Sequence, residues 1–293
     1  MAWPKHMVWI PLRQINQGMK FISLKGIASL LAVFFILAGC SNYGLEVEKI
    51  DPDFYILPGE GGNSGVLIGD SVILIIDTKM KQGAERFHRW VMDRAEGKRI
   101  VVVNTHIHKD HTGGNHYYEN AEIVAGDYGS QFWLQNNARE DMPNRWLVDT
   151  MHLDVGGEIV TIQNIGQSHT FDDVVVYLRN RKTIFTGDLV LNGYHPYLEE
   201  SVGANVDDYI TAMNHLMQDY DIATVVPGHG KTGDQDLITT FRQYFLDMKS
   251  ASEDIDLTDA MRKKYKSYRS LPVNKAGFDQ TLSYIRSNAS LRN

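Results

Sequence analysis

Apolar residues recur along this chain in two registers, and the switches between them mark its elements. Residues 46–50 and 54–57 alternate or carry aromatics, which predicts short strands. Residues 63–69 and 71–77 (NSGVLIG and SVILIID) are β-branched runs meeting at Gly69-Asp70, the pattern of a hairpin. Residues 82–95 change to helical spacing, with Phe87, Val91 and Met92 on one face. The compact run RIVVVN at 99–104 reads as a buried strand. A strand at 121–125, a helix at 127–137 and an irregular connection at 139–143 follow. Further strands are expected at 158–164, 174–178, 183–186 and 222–226, with helices at 206–220 and 236–248. Strands precede helices in both halves, with no Pro- or Ser-rich linker between them. One α/β domain over residues 46–293 is therefore expected.

A different pattern precedes that domain. Lys20 and Lys25 stand ahead of an apolar run at 27–38, which is too short for the roughly 20 residues a bilayer span requires. Positive flank, short apolar core and small residues afterwards predict a signal peptide over 1–40, with Met19 as the better start and 41–45 as a tether. The ending Leu37-Ala38-Gly39-Cys40 is similar to a bacterial lipobox. That resemblance implies lipidation of Cys40, and hence a membrane anchor in the cell envelope, on the outer membrane or the periplasmic face.

Composition narrows the chemistry. Cys40 is the only cysteine, so no thiolate is on offer within the domain, and any metal there must use nitrogen and oxygen ligands. The net charge of −7 supplies no basic field for nucleic acid. A small molecule is the expected partner.

Against that background the stretch NTHIHKDHTGGN at 104–115 stands out, with three histidines and an aspartate within six residues at the C-terminal end of a predicted strand. Three further candidates also fall at predicted strand ends, each beside glycine or another small residue: His169 in GQSHT, Asp188 in FTGDL and His229 in PGHG. His106 and His108 are two apart, so an extended turn projects them to one side, where His169 completes a three-histidine site. Asp110 and His111 lie further on and point to a second ion with His229. Asp188, with two oxygens, can bridge both. Seven ligands around two metals suit hydrolysis by a water whose pKa the ions lower to about 7.

HIHKDH together with His169, Asp188 and the PGHG at His229 closely resembles the metallo-β-lactamase superfamily. The resemblance runs from about residue 53 to 232. It implies an αββα sandwich, two mixed β-sheets flanked by helices, and a dinuclear zinc-dependent hydrolase whose metal-bridging hydroxide cleaves an ester, lactone, thioester or amide-type bond. Zinc is the expected cofactor, with iron or manganese as alternatives. Asp77 occupies the place of an aspartate that supports the metal loop. Asp110, besides ligating, is placed to orient the hydroxide and pass a proton to the leaving group. Tyr194 and His195, in NGYHPY, are candidates for the rim of the substrate pocket. Members of the first two zinc β-lactamase classes carry a cysteine where this chain has Asp188, so the ligand set is closer to glyoxalase II and lactonases. β-Lactam hydrolysis stays open as an alternative, as does an iron-dependent oxidoreductase resembling the persulfide dioxygenases.

Overall fold

The computed structural model describes residues 44–128, 130–272 and 276–290. The signal segment, Cys40 and most of the tether lie outside the described residues, all of which belong to one compact unit, Ala38–Asn293. Among the described residues no helix is long and apolar enough to cross a membrane.

Among the described residues twelve strands form two mixed sheets. The first runs in chain order through β1 (Glu48–Lys49), β2 (Phe54–Leu57), β3 (Ser64–Ile68), β4 (Val72–Ile76), β5 (Arg99–Val103), β6 (Glu122–Gly126) and β7 (Arg145–Leu147). Its first four strands are antiparallel neighbours, and β4 through β7 are parallel. The second has the order β12 (Thr224–Val226), β11 (Thr183–Phe185), β10 (Asp173–Leu178), β9 (Glu158–Gly166), β8 (Thr150–Val155), antiparallel except for the β11–β12 pair.

Period-two alternation explains why both faces of each sheet are apolar. On β10, Val174, Val176 and Leu178 meet Leu74, Val101, Val103 and Val124 of the first sheet in the central core. Val175 and Tyr177, one residue out of step, face away and pack with α4 (Val206–Asp219) and α5 (Asp236–Glu253) through Tyr209, Met213, Phe241 and Phe245. On β4, Leu74 and Ile76 point inward, while Ile73 and Ile75 pack on Phe87, Trp90 and Val91 of α1 (Lys81–Ala95). Helix, sheet, sheet, helix is the resulting order, and a one-residue slip in β4 or β10 would exchange the two cores. Each fully buried Val, Leu or Ile contributes roughly 1.5–3 kcal/mol, so register is strongly held where the site is built.

Some boundaries differ from expectation. Only Glu48–Lys49 pair at the N-terminal edge, and the helix expected from residue 127 begins with α3 at Ser130–Asn136. Strands β7 and β8 and the helices α6 (Ile255–Lys264) and α7 (Phe278–Ser290) were not anticipated as separate elements. The short helix α2 (Lys109–Thr112) follows β5 after the turn at 104–108 and carries part of the NTHIHKDHTGGN stretch.

Candidate metal centre

Buried strand β5 delivers the chain to the site. Beyond it, Asn104 N–H donates to the Val124 carbonyl at 2.9 Å and Thr105 N–H to Asp77 Oδ1 at 2.8 Å. The chain leaves the sheet at this point and His106 and His108 emerge together, His106 Nε2 lying 3.1 Å from His108 Nδ1. His108 is the N-cap of α2, and its carbonyl accepts from the His111 and Thr112 N–H groups at 2.9 and 3.1 Å. The turn so formed sets Asp110 and His111 on the other side of the same cavity.

The remaining ligands arrive from the second sheet. His169 sits in the β9–β10 turn, where its N–H and that of Thr170 donate to the buried Asp173 carboxylate. Asp188 lies in a 3₁₀ turn just after β11, and His229 just after β12. His169 Nε2 comes within 2.9 Å of His108 Nδ1. His229 Nε2 lies 3.1 Å from Asp110 Oδ2.

Two clusters result: His106, His108, His169 and Asp188 in one, Asp110, His111 and His229 in the other, with ligand atoms within 4.8 Å of one another in each. Asp188 addresses both. Its Oδ2 is 3.6 Å from His169 Nε2, and its Oδ1 is 3.3 Å from His111 Nε2 and 3.5 Å from His229 Nε2. All seven ligands expected from the sequence are therefore brought together, with Asp188 between the two groups.

The site has the chemistry of a cation receptor. His111 Nε2, His229 Nε2 and Asp188 Oδ1 are buried, point at one another and have no hydrogen-bond partner, an arrangement that costs free energy unless something positive sits among them. Ligand atoms around a tetrahedral ion bonded at about 2.0–2.1 Å stand about 3.3 Å apart, and the separations above bracket that value. Glycines keep the backbone close. A Cβ on Gly228 would come 1.9 Å from Asp188 Oδ1, and one on Gly62 would strike the His111 ring at 2.2 Å.

Protonation within the clusters follows burial and charge. Burial, reinforced by neighbouring imidazoles, holds His106 well below its ordinary pKa and pushes His169 down to about 3, so both are neutral with a lone pair to offer. Burial also disfavours charge on His111, but Asp77, Asp110 and Asp188 outweigh it and raise this ring. Burial opposes ionisation of Asp188 too, and is overcome by His229 and His111, which keep the carboxylate charged. Around His111 and His229 the carboxylates of Asp77, Asp110 and Asp188 outnumber the imidazoles, an excess that a metal cation would relieve.

Behind the ligands stands a layer of aiming groups. Asp77 Oδ2 accepts from His111 Nδ1 at 2.6 Å and from the Thr105 hydroxyl at 2.7 Å, orienting Nε2 of His111 into the cavity. Asp77 thus stands directly behind the loop that carries His106 to His111. Tyr209, on the buried face of α4, was not anticipated: its hydroxyl lies 2.6 Å from His169 Nδ1 and 3.3 Å from the Asp188 carbonyl. Donating to that carbonyl, it accepts the Nδ1 proton and leaves Nε2 of His169 free. Asn63 was also missed. Its Nδ2 donates to the Pro227 and Gly230 carbonyls at 2.8 and 2.9 Å, bracing the loop that carries His229.

Two rim candidates part company. Tyr194 does face the site, its ring 6.2 Å from that of His229. His195 does not join the rim. It is 5% exposed, its Nδ1 is 2.8 Å from the Tyr244 hydroxyl, and its ring packs on Tyr268 and Phe278. Adjacent residues of an extended segment project to opposite sides, so only one of the pair can face the clusters. Tyr197 takes the second place, its ring 5.4 Å from His108.

An αββα sandwich with a His/Asp double cluster at its strand ends defines a metal-dependent hydrolase. The sequence profile of the metallo-β-lactamase superfamily matches residues 57–229, more than half of the chain, and the chain belongs to that superfamily. It is similar to a type 2 metallo-β-lactamase of Bacillus sp. (strain 170), 26% identical over 178 residues, covering 60% of this chain and 69% of the relative. It is also similar to the acyl-coenzyme A thioesterase MBLAC2 of Gallus gallus, 27% identical over 169 residues, covering 47% of this chain and 58% of that protein. Among solved structures, a metallo-β-lactamase from Pontibacter korlensis aligns with a TM-score of 0.60 at 26% identity, over 68% of this chain and 99% of that one.

Proposed function

We propose that the protein is a dinuclear zinc hydrolase of acyl bonds, acting on an ester, lactone, thioester or cyclic amide. The observation that carries this reading is the single carboxylate of Asp188 presenting one oxygen to each cluster. His106, His108 and His169 would hold one ion, Asp110, His111 and His229 the other, and Asp188 both. When bound, the pair supplies Lewis acidity and a water acidic enough to react near neutral pH. The nitrogen and oxygen donor set suits zinc, as it does iron or manganese, and the hydrolase relatives favour zinc, which is redox-inert. A β-lactamase and a thioesterase among the relatives support an acyl bond as the target.

The chain's own groups divide the work. Asp77 and Tyr209 fix the rings of His111 and His169 before substrate arrives. Asp110 keeps 30% of its side chain exposed toward the cavity, and His111 and His229 overcome the effect of burial and hold it ionised. It takes a proton from the attacking water and returns it to the leaving group, so that acyl–X and water give acid and HX. Asp110→Asn, in protein verified to retain both ions, is expected to lower kcat by about 100-fold or more with little change in KM. An unchanged kcat would remove Asp110 from this role.

A further inference from the structure

Beyond residue 229, where the family match ends, the chain continues through α5 and α6 and returns to the rim at Arg269 and Ala276 before entering α7. We infer that this returning segment gives the site its substrate preference, with Arg269 binding an anionic group, carboxylate or phosphate, on the acyl substrate. The inference rests on the hydrolase reading above and names the substrate class.

Backbone geometry fixes the segment against the rim. Arg269 N–H donates to the Gly193 carbonyl and the His195 N–H to the Arg269 carbonyl, both at 2.9 Å, while Ala276 forms an antiparallel bridge with Tyr197. His195, sunk among Tyr244, Tyr268 and Phe278, rivets the rim to the C-terminal core. Tyr194 and Tyr197 on either side of it are thereby held beside His229 and His108, one tyrosine at each cluster.

Arg269 completes this wall. Its guanidinium carbon lies 4.2 Å from the centroid of the Tyr194 ring, which in turn neighbours His229. Stacking on a ring uses the flat face of the guanidinium and leaves its in-plane N–H fork open. The side chain is exposed and has no acidic partner among the described residues, whereas Arg262 and Lys264 on the preceding helix are neutralised by Asp279 and Asp247. An oriented, uncommitted guanidinium one ring away from His229 favours a substrate whose tail carries negative charge.

The test compares three thioesters of equal length, ending in a methyl, a carboxylate or a phosphate group, on zinc-loaded wild type, Arg269→Ala and Arg269→Lys. The ratio of kcat/KM for an anionic over the neutral thioester is expected to fall about 10- to 100-fold in Arg269→Ala, through KM, with partial recovery in Arg269→Lys. Which anionic arm falls further identifies the group. An unchanged ratio for both arms would overturn the proposal. Calorimetry with glutarate separates this outcome from failure of the hydrolase reading. If no thioester is turned over by wild type, weaker glutarate binding by Arg269→Ala still supports the anion site, and equal or absent binding by both proteins overturns it.

Discussion

Tyr209 illustrates what a single residue decides here. Its ring is packed among Phe241 and Phe245, and its hydroxyl is the partner that leaves His169 with a free Nε2. Tyr209→Phe keeps the ring and removes that partner. Metal affinity, read by competition with a chelator, is expected to fall about 10- to 100-fold, and equal affinity would show that His169 needs no such aiming. The ligands themselves were legible in the sequence because their chemistry is local: histidine and aspartate at strand ends beside glycine. Tyr209 was not. The spacing of Val206, Tyr209, Met213 and Leu216 places it on an inward face, but which loop its hydroxyl meets depends on how α4 lies across the second sheet. His195 fails for the same reason, since the core that absorbs it comes from helices some fifty to eighty residues later in the chain.

At the scale of elements, strands buried on both faces were read with little error, because continuous β-branched runs have few alternatives. Strands β7 and β8 were missed. β7 has three residues at a sheet edge, and β8 buries only one side, its even-numbered residues standing exposed beside Met151, Leu153 and Val155. Lys79 connects elements in a way no pattern announces. It lies just past β4 with φ +64°, fully buried, and its Nζ donates to the carbonyls of Leu57, Gly59 and Gly62 at 2.7, 2.6 and 3.2 Å. This ties the β2–β3 loop, whose Gly61 and Gly62 abut Asp110 and His111, to the end of β4. Burial pulls its pKa down from 10.5 to about 7. Between those values the unfolded chain binds the proton more readily than the folded one, so this residue makes stability rise as pH rises from about 7 to 10.5. Urea unfolding of Lys79→Met is expected to show that slope reduced, by an amount on the order of a few kcal/mol across the window. An identical slope in both proteins would mean that Lys79 titrates normally.

The whole molecule is a sandwich whose two sheets contribute separate halves of one site. The first sheet supplies His106, His108, Asp110 and His111 through β5 and α2, and the second supplies His169, Asp188 and His229. Neither half makes a complete cluster alone, so ion binding is also a clamp between the sheets, and ligands that bind only the folded state stabilise it. The most direct test of this account is the metal content of residues 41–293 prepared without chelator or added zinc, by elemental mass spectrometry. About two zinc ions per chain are predicted for the wild type, falling toward one in His229→Ala, which loses a ligand of the second cluster only. A folded protein with no tightly bound metal would contradict the reading of both clusters.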